Sequence, residues 1–354
     1  MVPVKSLKAI LGEHLDWHGA RLNFLANFIL ALFKVKTVNL AQVATAFSGR
    51  AKIESNYKRL QRFFRGFSID YAVIARLMAR LVPVEGPWYL TIDRTNWKFG
   101  KANINILVLG IAYQGIAFPL FWSVLSKAGN SNTQERIELV ERFLAVFGRE
   151  QIIALLADRE FIGRDWFTYL RAQQIPFRIR IKEDTLVSTR RGYCLNAWIL
   201  FRDLKVNQTR ILKGKREIMG CRLHLVGMRL ANSEFLLVAT TDSPAKALSG
   251  YGRRWEIETL FGCLKSRGFC FEDTHLTNPE RIAKLVALLA IAFAWAYRTG
   301  EWLHKQKPIP FKKTLQRPLK SQFRYGFDHI RHIVLNLYEK WSDFCLIIRL
   351  LSCT

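Results

Sequence analysis

Between residues 88 and 182 the apolar residues fall into short runs whose length and composition suit strands, and helical stretches separate the later ones. WYLTID (88–93), INILVLGIAY (104–113) and IAFPLFWSVL (116–125) come first, and Gln114-Gly115 parts the last two as a hairpin turn. Asn132 with Glu135 three residues on has the form of a capping box, which opens a helix through Phe147. IIALLAD (152–158), a helical stretch from Arg164 to Gln174, and FRIRIK (177–182) follow. Three strands, then helix, strand, helix, strand, predict a mixed sheet with helices packed on it.

The flanks of this block read differently. Residues 1–82 are expected to be all-helical: Leu22 to Phe33 is densely apolar, and Asn39 can cap a short helix, LAQVATAF. Ser48-Gly49 makes a turn, and a second helix runs from about Lys52 to Phe64. In it Lys58, Arg62 and Arg65 recur on one face, with Tyr57, Leu60, Phe63 and Phe64 packing on the other. Helix, short Gly turn, basic helix is the outline of a helix-turn-helix; a solvated basic face has the same pattern. Residues 83–87 read as a linker. Residues 184–236 break the alternation with short β-like pieces, WILF, TRILK and CRLHLVGMRL, and Gly192, Gly214 and Gly220 near turns. They read as a β-rich insertion before EFLLVATT (234–241) returns to the sheet. Ser243-Pro244 then opens a helical region. The expected division is 1–82 helical, 83–183 first part of the core, 184–236 insertion, 237–310 second part of the core, and 311–354 a basic C-terminal segment.

Charge narrows the class of partner. Lys and Arg number 54 against 28 Asp and Glu, a formal net charge of +26 over 354 residues. Residues 1–82 carry 13 basic against 4 acidic side chains, residues 184–236 carry 10 against 4, and residues 298–340 carry 10 against 3. Three separate basic regions suit a long polyanion better than one small anion, and they point to nucleic acid, with an anionic membrane surface as the rival. The opening residues lack the apolar core and cleavage site of a secretory signal. The run from Leu285 to Tyr297 is shorter than the roughly 20 residues that span a bilayer, so it reads as a core helix. Cys194, Cys221, Cys263, Cys270, Cys345 and Cys353 form no CxxC pair and read as reduced thiols of a cytoplasmic protein.

The candidate chemistry lies in carboxylates. Asp93 and Asp158 each end an expected strand run, where open α/β sheets place their functional groups. Hard oxygen ligands of that kind suit Mg²⁺; each Asp alone also reads as a turn cap. If YGRRWEIETLFGCLKSRG is helical, Tyr251, Arg254, Glu258 and Lys265 project within about 60° of one another. Glu256 points away from that stripe, so the geometry prefers Glu258 as the active acid. Gly252 threatens the first turn, and an Arg254–Glu258 salt bridge on a surface helix is the plain alternative.

The spacing Tyr-x2-Arg-x3-Glu-x6-Lys, met by Tyr251, Arg254, Glu258 and Lys265, resembles the signature of a large family of bacterial insertion-sequence DDE transposases. TIDRTNW around Asp93 and LLADREFIG around Asp158 look like that family's first and second acidic motifs, and the resemblance covers roughly residues 50–340. It implies an α/β fold with a ribonuclease H-like mixed-sheet core, a β insertion between the second and third acids, and an N-terminal helical domain. It implies a DNA transposase in which Asp93, Asp158 and Glu258 are catalytic and hold two Mg²⁺ ions, with Mn²⁺ as substitute. Arg254 and Lys265 would grip DNA phosphates and Tyr251 would donate a hydrogen bond to one. Lys58, Arg62 and Arg65 are the expected DNA-facing residues of the N-terminal region. The implied partners are transposon inverted-repeat ends and target DNA, with no membrane, and a homodimer on the ends. The implied setting is the bacterial cytoplasm, at the nucleoid. A non-catalytic DNA-binding repressor derived from such an enzyme and a related nuclease that cuts without joining are the other readings; the spacing at 251–265 favours transposition.

Remaining features are assigned structural roles. His14 and His18 have zinc-ligand spacing, but Leu15 stands where a zinc protease has Glu, so an ordinary polar helix face is expected. Glu160 is expected as a local salt-bridge partner beside Asp158, and Trp198 as a core residue.

Overall fold

The computed structural model of the protein describes residues 2–189 and 191–352, without the side chain of Leu315. The chain opens with helices α1 (Val2–Gly12), α2 (Gly19–Val35), α3 (Leu40–Thr45), α4 (Ile53–Gly66) and α5 (Tyr71–Leu81). Asn39 caps α3 through the amides of Ala41 and Gln42, as its sequence position implies. On α4, Leu60, Phe63 and Phe64 are buried while Lys58, Arg62 and Arg65 are exposed. Tyr57 departs from the expected pattern: it lies at the edge of the apolar face and stays exposed.

Strands β1 (Trp88–Phe99), β2 (Ala102–Tyr113) and β3 (Ile116–Leu125) form an antiparallel meander. Gln114 and Gly115 both take positive φ, 44° and 87°, which matches the twist a two-residue hairpin needs. Helix α6 (Thr133–Phe147) starts at the Asn132–Glu135 capping box, with both reciprocal hydrogen bonds formed. β4 (Ile152–Ala157) pairs parallel to β1, and β5 (Phe177–Ile181), reached through α7 (Arg164–Ala172), pairs parallel to β4. The mixed sheet with packed helices expected from the sequence is the sheet observed.

The region 184–236 holds β6 (Leu186–Ser188), β7 (Cys194–Asn196), β8 (Thr209–Ile211), β9 (Arg216–Ile218) and β10 (Cys221–Arg229), and β11 (Phe235–Thr240) follows it. These strands do not make a lobe of their own. β11 pairs with β5 and β10 with β11, so one sheet of eleven strands runs β3-β2-β1-β4-β5-β11-β10-β9-β6-β7, with β8 on β10. WILF, read as β-like, is instead part of a short 3₁₀ turn, Ala197–Phe201. The amides of Ala197 and Trp198 bond back to Thr185 and Glu183 there, and that folds the chain over on itself. Trp198 is 39% exposed and so is not the core residue expected.

After β11 come α8 (Ala247–Tyr251), α9 (Glu256–Leu264) and α10 (Pro279–Gln306). The short hairpin β12 (Phe311–Lys312) and β13 (Arg317–Pro318) precedes α11 (Gln322–Leu335) and α12 (Trp341–Arg349). α10 is long and apolar enough to cross a membrane, but it is buried along most of its length in the core of the protein. The terminal segments are not independent units. Phe33 of α2 packs its ring on Trp295 of α10 and Phe327 of α11, and the Trp295 indole donates to the carbonyl of Ile347 in α12. Residues 1–82 and 311–352 thus share one continuous core with the sheet, because the apolar faces of α2 and α10 have no other surface to cover them. Cys194, Cys221, Cys263, Cys270 and Cys345 are free thiols, as expected; Cys353 lies outside the described residues.

Candidate active site

Asp93 does not end its strand. β1 continues to Phe99 because β2 keeps pairing with it as far as Phe99↔Ala102. What ends near Asp93 is the other neighbour: β4 pairs with β1 through Ile92↔Ala157, and Asp158 is the next residue. Register therefore sets Asp93 and Asp158 side by side, on the face that carries Thr91 and Leu156. That face is covered by the segment after β11, where Thr91 donates to the carbonyl of Arg254.

The segment 251–265 is not one continuous α-helix. A 3₁₀ turn, Gly252–Trp255, separates α8 from α9, and Lys265 already caps the end; the weakness at Gly252 is where the turn begins. The two glutamates still point apart. Glu256 is buried and accepts from the amide of Gly115 in the β2–β3 turn. Glu258 faces the two aspartates and is 43% exposed. Arg254, whose side chain is only 6% exposed, joins them: it donates to Glu258 at 2.7 Å and to Asp93 at 3.5 Å. The Arg254–Glu258 pair does form, with the Arg254 end buried beside Asp93 and the Glu258 end open to solvent.

Electrostatics marks the same spot. Burial pushes the Asp93 carboxyl up to about 7; the like charges of Asp158 and Glu258 add to this, while the Arg94 amide and Arg254 oppose it. Carboxylate oxygens are hard ligands, and like charges set this close are what a divalent cation would stabilise. Among the described residues, no three His, Cys, Asp or Glu side chains stand close enough together to hold a metal; Arg254 bridges two of these acids. The donor chemistry of the three carboxylates fits a hard cation.

Two neighbours of the aspartates lock the site. Arg94, the residue after Asp93, makes a bidentate pair with Glu160 at 2.7 and 2.9 Å. The Glu160 amide in turn donates to Asp158 Oδ1, and the Arg94 amide to Asp93 Oδ1. Arg94 also donates to Asn105 and Asn130, and buried Arg136 holds the carbonyls of Ser131 and Glu160. Glu160 is a salt-bridge partner, as expected, but not a local one: Arg94 lies 66 residues away in the chain and is a residue the sequence reading passed over. Arg180 was missed too: register places it beside Asp158 on the same face, and the alternation of FRIRIK carries that signal.

The other expected DNA contacts are spread out. Lys265 donates to the carbonyl of Asn96, pairs with Glu272 at 2.8 Å and lies over the Trp97 ring. Tyr251 is 3% exposed, packed on Val226, Val238 and Ala247 beneath Arg254. Lys58, Arg62 and Arg65 stay exposed on α4. His14 bonds to the carbonyl of Leu351, while His18 caps α2, so the two histidines share no ligand.

Residues 86–295 match the family described as transposase DDE domain. The match includes Asp93, Asp158 and Glu258 and leaves out α1–α5, α11 and α12. The sequence has no match among curated proteins. Among solved structures, the chain is similar to a piggyBac transposase in a cryo-EM synaptic complex with hairpin DNA. The TM-score is 0.48 at 10% identity, covering 96% of this chain and 78% of that one.

Proposed function

This chain belongs to the transposase DDE-domain family, and from that premise we propose that it cleaves transposon ends and joins them to target DNA, as bacterial insertion-sequence transposases do. The observation that carries the reading is that Asp93 and Asp158 stand side by side on one sheet face while Arg254 ties Asp93 to Glu258 of α9. Those three acids would hold Mg²⁺ or Mn²⁺ ions, which when bound supply Lewis acidity at the phosphodiester. Glu258 would be one of the ligands, and Arg254, which donates to Asp93 and Glu258, would be placed to grip a DNA phosphate beside them. Lys265 serves the same strand as a point charge, and Tyr251 acts by supporting Arg254. The test is to incubate the protein with a pre-cut end duplex and a target plasmid. Joined product that needs Mg²⁺ or Mn²⁺ supports the reading; metal-dependent cutting with no joining identifies a nuclease, and binding with neither identifies a repressor.

Glu160→Gln is expected to lower cleavage about 10- to 100-fold and to raise the Mn²⁺ concentration for half-activity, because it unlocks Asp158 from β1. An unchanged Mn²⁺ requirement would remove the positioning role.

End recognition is proposed for α4. Deleting residues 1–82 is not a usable test, because α2 fills the core beneath α10 and α11. Substituting Lys58 and Arg62 by Ala on the exposed face should instead leave folding intact. Each lost phosphate contact reduces the log–log salt slope of end binding by about 0.9. A slope equal to that of the unaltered protein counts against α4.

The active species is proposed to be a dimer on two ends, formed in the bacterial cytoplasm, since joining both ends to one target needs two active sites held together. DNA would also neutralise part of the +26 charge that drives subunits apart. Mixing Glu258→Gln subunits with subunits defective in end binding should restore cleavage of a single end. Failure of every mixture, with one protein per end pair by sizing, overturns the dimer.

A further inference from the structure

A second basic site lies away from the acids. α3, α4, the loop at His275 and Leu276, and the start of α10 enclose a cavity of about 420 Å³. Arg65 of α4 and Arg281 of α10 both line it, with Tyr57, Gln61, Asn39 and His275. Neither guanidinium forms an ion pair among the described residues, so two like charges face one space without an acid to balance them. Arg65 is exposed and Arg281 half-buried, so the space opens to solvent, and an anion entering it would meet both guanidinium groups.

The walls of the cavity are fixed by buried bonds. The Lys284 ammonium, 4% exposed, donates to the carbonyl of Phe64 at the end of α4. Arg281 lies one turn before Lys284 on the same face of α10, and Arg65 follows Phe64, so this bond brings the two arginines to one place. Opposite, Thr37 donates to Asp273 and receives the amide of Asn39, which ties the start of α3 to the loop before α10.

The cavity also sits on a line between α4 and the acids. From Asp93, the odd residues of β1 share one face. Trp97 lies there under Lys265, and Phe99 stacks on His275 at the cavity rim. Phe99 lies six steps along β1 from Asp93, roughly 20 Å at about 3.3 Å per step.

We infer that this cavity binds a phosphate of the transposon-end DNA, gripped between Arg65 and Arg281, with the adjoining sugar and base edge against Tyr57, Gln61 and Asn39. The inference rests on the end-binding reading above. It makes the cavity the inner limit of the α4 contact and sets the length of DNA between that contact and the cut. Basic side chains beside an aromatic are the combination that holds a nucleotide strand.

The test is ethylation interference on a duplex of the terminal inverted repeat flanking the gene. Arg65→Ala and Arg281→Ala should lose interference at the same phosphate or its neighbour, and Arg62→Ala at a different one. Arg281→Ala should also reduce the salt slope by about 0.9, and Arg281→Lys should restore the slope. An Arg281→Ala protein that folds, cleaves, and keeps the full interference pattern overturns the cavity site while leaving the transposase reading intact. A protein that binds the duplex through Arg65 and Arg281 but never cuts or joins it overturns that reading and keeps the site. Binding of free deoxyadenosine monophosphate that the duplex does not displace would assign the cavity to a free nucleotide and also overturn the inference.

Discussion

Asp93→Asn, Asp158→Asn and Glu258→Gln should each lower end cleavage by about a thousandfold or more while retaining end binding. On the proposed reading the three acids hold a hard divalent cation, whose Lewis acidity amounts to several kcal/mol of transition-state stabilisation. An amide keeps the shape of the side chain and removes the charge that the cation needs. Glu256→Gln is the internal control. Glu256 sits two residues from Glu258, but it turns away from the aspartates, and its Oε1 is held by the Gly115 amide and Arg253. That change should cost about 1 kcal/mol of stability and leave cleavage nearly intact. Mn²⁺ binding measured by electron paramagnetic resonance supplies a readout apart from activity: it should weaken in the first three variants and persist in Glu256→Gln. A Glu258→Gln protein that cuts DNA normally, or a Glu256→Gln protein that does not, would assign the third acid wrongly.

The second large effect is on stability. α10 and α11 cross with Gly300 against Gly326. A Cβ on Gly326 would run into the carbonyl of Ala296 and the backbone of Gly300, and one on Gly300 into the carbonyl of Gln322. Helix propensity alone favours Ala over Gly by about 1 kcal/mol. Overpacking costs about 1–3 kcal/mol, at the upper end when backbone and not a flexible side chain must yield. Gly326→Ala should therefore be destabilising by about 2 kcal/mol net, seen as a lower denaturation midpoint. Gly66, at the end of α4, has nothing within 4 Å of its would-be Cβ. Gly66→Ala should be neutral or slightly stabilising. Equal effects of the two substitutions would mean that the helix crossing does not set the cost.

These two cases show where the sequence stops being informative. Local chemistry was readable wherever the cause lies within a few residues. The Asn39 cap, the Asn132–Glu135 box and the Gln114-Gly115 turn are each complete in their own segment, and each formed. Glu258 could be preferred to Glu256 because the angle between two residues of one helix is a local quantity, and it survived the 3₁₀ turn at Gly252.

Contacts between segments distant in sequence were not readable. Nothing near Asp93 says that β1 runs on to Phe99, since β2 supplies that pairing. Nothing near Glu160 names Arg94, which is 66 residues away. The boundary at residue 82 looked like a domain edge because composition changes there, but a change of composition records secondary structure and not which faces meet. By itself, the sequence determined most of the long elements, the order of the three acids and the basic character of α4. Only the tertiary structure decided that the β insertion extends one sheet, that Arg254 stands between Asp93 and Glu258, and that Lys284 brings Arg281 to Arg65. Those outcomes depend on strand register and helix packing, where the energy comes from burying apolar faces together, and that energy is fixed only when both partners are in place.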